Sequence, residues 1–339
     1  MNIVGNEREM KYENNSVTED VRCELGAFLF PKGSTIFPKI GGAIATNKKR
    51  LTTRDCCVDN NVMGVVPRSN KIDSNFLYYF FLAHDLSEFA NEAHLPSIRK
   101  TVVESWPITL PASVSEQQRI VGILDEAFAG IATAKANAEK NLQNARAIFK
   151  SQMHSVFAKQ GDGWVEKSLG EICEMYQPKT IGMKDLVPDG PYPVFGANGV
   201  IGRYDKFNHA EPQLLVTCRG ATCGAVNVSM PKSWITGNAM VIRPKNDALN
   251  LQFLEFVFRG GVDISKAITG AAQPQITRTN LSPILIRFPI SIEVQGRLAE
   301  QFENIASETQ RLESLYQRKL AAFDDLKQSL LHQAFSGGL

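Results

Sequence analysis

The chain has 339 residues, 43% of them hydrophobic and 21% charged, which is enough core-forming material for more than one globular domain. Its formal net charge of +2 neither demands nor excludes a nucleic-acid partner. The longest aromatic-rich apolar run, residues 76–83, falls far short of the roughly 20 residues of a membrane span, and residues 1–7 lack the charged start and apolar core of a signal peptide. A cytoplasmic protein without a membrane partner is expected.

In chain order, β-formers at 35–37 and 62–66 read as short strands, followed by a short helix at 76–81. After Pro111, Ser115 opens a stretch of about 44 residues broken only by Gly122 and Gly130, a helix about 66 Å long. The order then recurs: strands at 213–217 and 240–242, a short helix at 253–258, and from Glu293 a second long helix. Turn-forming runs such as Gly196-Ala197-Asn198-Gly199 separate the strands.

Recurrence of elements reflects recurrence of sequence. Shifted by 178 residues, 96–157 lies on 274–335 without a gap, placing Pro96, Ile98, Gln117, Arg119, His154 and Phe157 on Pro274, Ile276, Gln295, Arg297, His332 and Phe335. Upstream, Gly42-Ala43 falls on Gly220-Ala221 and, one residue of slippage later, Asn61 and Met63 on Asn238 and Met240. Two copies of one unit are expected, roughly 36–158 and 214–336. The front of the second copy, from Gly163-Trp164 to Leu169-Gly170-Glu171, has no mirror near the N-terminus.

Both long helices carry apolar residues at alternating spacings of four and three, the coiled-coil pattern. The first seam is small (Ile120, Leu124, Ala127, Ile131, Ala134, Ala138, Ala145, Ile148) and the second large (Leu298, Phe302, Ile305, Leu312, Tyr316, Phe323, Leu326, Leu330), which suits pairing with each other. A head, a long helix, a second head and a returning helix give an antiparallel pair with a head at each end, related by a pseudo-twofold axis. The expected class is α+β: two strand-rich mixed α/β heads joined by two long antiparallel coiled-coil helices. The boundaries are 1–110 for a first head whose front is missing or altered, 111–160 for the central helix, 161–288 for the second head and 289–339 for the C-terminal helix.

Catalytic signatures are absent. No Gly-rich phosphate loop, G-x-G-x-x-G, H-E-x-x-H or nucleophile elbow occurs. The six cysteines (Cys23, Cys56, Cys57, Cys173, Cys218, Cys223) form no zinc-ligand spacing and are expected reduced. A non-catalytic binding protein without catalytic or metal residues is expected.

The heads hold the candidate surface. Residues 36–54 carry Lys39, Lys48, Lys49, Arg50 and Arg54 with no acid, and residues 212–245 carry Arg219, Lys232, Arg243 and Lys245 with no acid. Local positive potential in a nearly neutral chain is the footprint of phosphate contacts. Asn61, Thr222, Trp234 and Asn238, interleaved among them, suit base-edge contacts, though Asn-Gly and Thr-Gly segments are also turn formers. The candidate DNA-binding set is Lys39, Lys48, Lys49, Arg50, Arg54, Asn61, Arg203, Arg219, Thr222, Lys232, Trp234 and Asn238. The motifs Leu95-Pro96-Ser97-Ile98 and Gln273-Pro274-Gln275-Ile276 are expected to fix the joint between head and helix.

Several stretches resemble one family. They are Phe37-Pro38-Lys39-Ile40-Gly41-Gly42-Ala43-Ile44-Ala45-Thr46-Asn47-Lys48, Tyr192-Pro193-Val194-Phe195-Gly196-Ala197-Asn198-Gly199 and Thr217-Cys218-Arg219-Gly220-Ala221-Thr222-Cys223-Gly224. With Ile235-Thr236-Gly237-Asn238-Ala239, the helix opening Glu116-Gln117-Gln118-Arg119-Ile120-Val121 and the ending from Leu326 to Phe335, they resemble the DNA-specificity subunit of type I restriction–modification enzymes. The resemblance implies two target recognition domains, each reading half of a bipartite double-stranded DNA site, with the helices setting the spacer. It implies as partners two modification (methyltransferase) subunits and ATP-dependent restriction subunits. S-adenosylmethionine, ATP and Mg²⁺ would belong to those partners, with no cofactor in this chain. The family's first domain opens like residues 163–170, and that opening has no counterpart here, so the first domain is expected to be truncated and to read weakly or not at all. An adaptor that binds modification subunits without full bipartite specificity is the alternative reading.

Overall fold

The computed structural model describes residues 4–13, 15–68, 70–158, 163–270 and 272–339. Residues 1–3, part of the leader reading, and the 160/161 domain boundary lie outside them. The chain divides into two compact units, Met1–Lys140 with Gln317–Leu339, and Asn141–Tyr316. No helix among the described residues is long and apolar enough to cross a membrane.

The first unit is built on a four-stranded sheet in the order β1-β3-β2-β4, formed by β1 (Glu9–Met10), β2 (Thr35–Pro38), β3 (Arg50–Thr52) and β4 (Val62–Val65). A short helix α1 (Glu19–Glu24) lies between β1 and β2. The next helix, α2 (Ser74–Ala83), starts where the Asp73 carboxylate accepts the N–H groups of Asn75 and Phe76, and it buries the six consecutive residues Phe76 to Phe81. A helix apolar all round must be covered all round. One side packs with Phe37, Ile44 and Leu86, the other with Ile120, Val121 and Leu124 of the long helix α4 (Val114–Ala158). Helix α3 (Lys100–Ser105) connects the two.

The second unit shares three strands of that sheet and places its fourth on the other edge, with further sheets added. Its elements are β5 (Trp164–Ser168), α5 (Leu169–Ile172), β6 (Cys173–Tyr176), β7 (Tyr192–Phe195), β8 (Val200–Tyr204), β9 (Leu214–Thr217), β10 (Val226–Val228), β11 (Trp234–Ile235) and β12 (Ala239–Pro244). After these come α6 (Leu251–Phe256), β13 (Ile268–Thr269), β14 (Gln275–Ile276), α7 (Arg278–Leu281), β15 (Leu285–Pro289) and the long helix α8 (Ile292–Ser336). The main sheet runs β10-β9-β12-β6, with β11-β7-β8 as a second sheet and two-stranded ladders β13-β14 and β15-β5. Helix α6 ends in a π-helical turn, Val257–Gly261. A Cβ on Gly260 would meet the Met153 side chain at 3.0 Å, and one on Gly261 the Phe157 ring at 2.8 Å, so the two glycines let α4 close against the head.

Both long helices span 45 residues. In the first unit Lys135 pairs with Asp324 at 2.7 Å, and in the second Arg146 pairs with Glu313 at 3.2 Å, so the helices run antiparallel in each unit. The small seam residues Ala138 and Ala145 are buried as the spacing predicts. Ile148 and Leu326, also on the predicted seams, are 54% and 46% exposed, because an α-helix repeats at 3.6 residues and a 3.5-residue stripe drifts off the shared face.

The backbone corrects the upstream register of the repeat. Gly41 N–H donates to the Pro96 carbonyl as Gly220 N–H does to Pro274, and Ile98 N–H donates to Lys39 as Ile276 N–H does to Cys218. Gly41, with φ of 67°, and not Gly42 therefore answers Gly220, with φ of 83°. The loop that follows runs seven residues to Asn47 in the first unit and five to Gly224 in the second, both in left-handed conformation. That difference produces the slippage before Asn61 and Asn238. The bridge between Phe30 and Cys56 matches that between His209 and Ser233, which carries the repeat back to residue 30.

Candidate nucleic-acid interface

In the second unit the chain reversals beyond β6, β7, β9 and β11 gather at one end of the sheets. The Thr217 hydroxyl donates to the Ala197 carbonyl, Asn227 Nδ2 to Asn198 Oδ1 at 2.8 Å, and Gln177 Nε2 to the Gly237 carbonyl at 3.0 Å. Gly237 N–H reaches the Thr180 hydroxyl at 3.1 Å, and Arg219 bridges Gln275 through the backbone. Segments 177–180, 196–199, 218–224, 236–238 and 273–275 thus form one surface containing Lys179 and Arg219 and no acid. Arg219, Thr222, Asn238 and Lys179 are exposed, and the Arg219 guanidinium has no hydrogen bond or ion pair with a described residue. A braced backbone with unspent donors can meet phosphates and base edges at little ordering cost.

Three of the predicted residues, Arg219, Thr222 and Asn238, lie together on this surface. Arg203 does not: its guanidinium is committed to the carbonyls of Gly190 and, at 2.8 Å, Pro191, on the strand that pairs with the start of β7. Lys232 and Trp234 lie at the opening end of β11, where Lys232 N–H donates to Ala210 and the Trp234 ring meets Tyr204 edge-on. Trp234, opposite Val194, lies two residues before Thr236, and Lys232 two residues further back, so both fall outside the five segments around Arg219. Arg243 pairs with Glu174, and Lys245 Nζ donates to the Gly170 carbonyl at 2.6 Å.

The first unit scatters its basic run. Lys49 is 2% exposed, with Nζ 2.5 Å from Asn47 Oδ1 and 2.7 Å from the His84 carbonyl, and burial lowers its pKa to about 8. It occupies the strand position of Val226 in the second unit, a core-facing place, and the expectation that it meets phosphate is corrected. Arg54 forms an ion pair with Glu13, and Arg50 donates to the Lys49 carbonyl at 2.8 Å. Lys48 is partly exposed, and so is Lys39, whose backbone N–H donates to Asn61. Where the second unit has Arg219 the first has Ile40, whose bridge to Ser97 matches that of Arg219 to Gln275.

The motifs expected to fix the joint brace this loop surface instead, through Pro96 and Pro274. The joint is made by Gln117 and Gln295, which the repeat aligned without revealing a role. Gln177 and Lys179 were not singled out, and Asn198 and Gln275 were read only as parts of a turn and of a joint motif, because their grouping depends on segments up to about a hundred residues apart.

A family model described as "Type I restriction modification DNA specificity domain" matches residues 5–143 and again 161–318. The chain is 26% identical over 244 residues to the specificity subunit of the type I restriction enzyme EcoprrI from Escherichia coli, a match covering 67% of this chain and 59% of that relative. A structure reported for the assembly and conformational transition of the type I R-M system superposes with a TM-score of 0.77 at 19% identity, over 92% of this chain and 83% of the other. The HsdS subunit from Thermoanaerobacter tengcongensis gives 0.59 at 18% identity, over 92% and 82%. Those likenesses establish the shared fold, and the two matches of the family model fall one in each unit: the chain belongs to the type I restriction modification DNA specificity domain family.

Proposed function

We propose that this chain is the sequence-reading subunit of a type I restriction–modification complex, acting in the cytoplasm. The loop surface of the second unit reads double-stranded DNA. The observation that carries this reading is the acid-free convergence of five loops around an Arg219 that spends its guanidinium on no described residue. Arg219 and Lys179 supply phosphate or guanine contacts, and Asn238, Thr222 and Asn198 supply base-edge hydrogen bonds. The first unit, with Ile40 in the place of Arg219, contributes a weaker half of a bipartite site. The chain performs no chemistry itself. Two modification subunits bring S-adenosylmethionine, and restriction subunits bring ATP and Mg²⁺.

Selection from randomised duplexes, with the chain alone and then with its modification subunit, tests this. The expected result is one well-defined half-site read by the second unit, with a weak second half-site at fixed spacing. Recovery of no motif in either case would favour an adaptor that gathers modification subunits, a reading supported by the dispersal of the first unit's basic residues.

A further inference from the structure

The second unit contains an occupied version of an edge that the described residues of the first unit leave open. Strand β12 is paired on one side with β9 and on the other with β6, Val241 lying opposite Tyr176 and Arg243 opposite Glu174. Its counterpart β4 is paired only with β2 among the described residues. The Asn61 carbonyl faces β2, where it accepts the Lys39 N–H at 2.8 Å. Alternation along an antiparallel strand therefore turns the N–H and C=O of Gly64 outward, as those of Val241 are turned toward β6. No described residue takes them.

A second edge is open beside it. Strand β15 is paired along its length with β5, whereas the corresponding residues 107–111 form no strand. Exposure follows the pairing. Phe288 on β15 is 5% exposed and its counterpart Leu110 is 36% exposed. Ala239 to Ile242 are all buried, whereas Val62 to Val65 are all partly exposed and Val66 is 40% exposed. No charge or proline within β4 protects it, the usual device on an edge strand.

We propose that this double edge of the first unit accepts an extended segment of a separate polypeptide by strand addition. The occupant's chemistry is given by residues 164–176 in the second unit: a strand to lie along 107–111, a single helical turn, then a strand with apolar side chains at alternate positions, as Cys173 and Met175 are buried at 2% each. The backbone ladder supplies affinity, and the pockets beneath the alternate side chains select the register. This inference rests on the fold alone and stands or falls separately from the DNA reading.

The test is a fluorophore-labelled peptide with the sequence of residues 163–177, titrated with the full-length chain and followed by anisotropy. Saturable one-to-one binding is expected, with slowed amide exchange confined to 62–66 and 107–111. A peptide N-methylated at the positions of Glu174 and Tyr176, which removes the ladder donors and leaves the protein untouched, should bind roughly tenfold more weakly or worse. Absence of binding, indifference to N-methylation, or protection at 239–244 would each overturn the proposal. So would concentration-dependent dimerisation of the peptide-free chain with protection at 62–66, which would make a second copy the occupant.

Discussion

The side-chain carbonyl of Gln117 receives the backbone N–H of Asp73 at 2.8 Å, tying the first turn of a long helix to the cap of the aromatic helix beneath it. Its amide donates to the Lys71 carbonyl at 3.0 Å. Gln295 repeats the arrangement on Asn250 at 2.8 Å and Ala248 at 3.0 Å, and adds a bond to the Pro289 carbonyl at 2.7 Å. The two glutamines are 1% and 0% exposed. Buried amides of this kind hold direction, since every lost bond leaves a backbone group without water.

Gln295→Ala is therefore expected to destabilise the second unit by about 3 kcal/mol, and Gln117→Ala, with one bond fewer, the first unit by about 2 kcal/mol. Gln295→Glu should cost at least as much as the alanine, because an ionised carboxylate cannot donate to the Ala248 and Pro289 carbonyls. Urea unfolding of the full chain, followed by amide exchange in each unit, measures both. Equal and negligible losses would remove the glutamines from the joint.

Lys49 makes the first unit's stability rise with pH. Its pKa falls from 10.5 to about 8 on burial, so between those values the unfolded chain binds more protons than the folded one. Stability is lowest below pH 8, increases through the window up to about 10.5, and levels above it, with a total of up to about 3 kcal/mol. Lys49→Met should flatten that rise and leave DNA binding unchanged. Melting the variant and the parent side by side from pH 7 to 10 reads the difference, and parallel curves would contradict the assignment.

Arg219→Ala should weaken DNA binding by about 1–3 kcal/mol and relax preference at one base pair, if the guanidinium reads a guanine. If it meets phosphate, binding should weaken alike on all sequences and the log–log salt dependence should fall by about one. Arg203→Ala, which releases a guanidinium already held by Gly190 and Pro191, should change affinity far less. Titration of one selected duplex at several salt concentrations separates the three; a larger effect at Arg203 than at Arg219 would relocate the surface to the other end of the small sheet.

Arg8 fastens the N-terminal segment to the first unit. It donates to Asp125 at 2.6 Å and to Asn75 at 3.1 Å, lies over the Tyr78 and Tyr79 rings, and Asp125 also receives the Tyr79 hydroxyl. The ion pair is about two-fifths exposed, so Arg8→Ala should cost only about 1 kcal/mol. The larger effect should be local: faster amide exchange at Leu51, whose N–H donates to the Arg8 carbonyl, and across β1. Unchanged exchange there would mean that the parallel pairing of β1 with β3 holds the segment unaided.

Much of the architecture was legible because it is periodic or repeated. The long helices show in two uninterrupted runs with alternating apolar spacing, and the second copy shows in gap-free identities from Pro96 to Phe157. The run at 76–81 showed as a short helix, and only the structure shows that it is buried on all sides. Less legible was anything set by a loop length. Gly42 and Gly220 align in sequence, but the hydrogen bonds of Gly41 show that two extra residues in the loop move the register.

The order of residues by itself determined that the chain forms two like heads on long helices and that a local excess of positive charge lies in each head, because repeat, helical period, turn residues and local charge are properties of the linear chain. Only the tertiary structure decided that Lys49 is buried while the Arg219 guanidinium has no hydrogen-bond or ion-pair partner among the described residues, that five distant loops meet around Arg219, and that β4 lacks among those residues the neighbour β12 possesses. Burial, convergence and edge pairing depend on which segments far apart in the chain come into contact, and that is settled by packing the whole unit rather than by any one stretch of sequence.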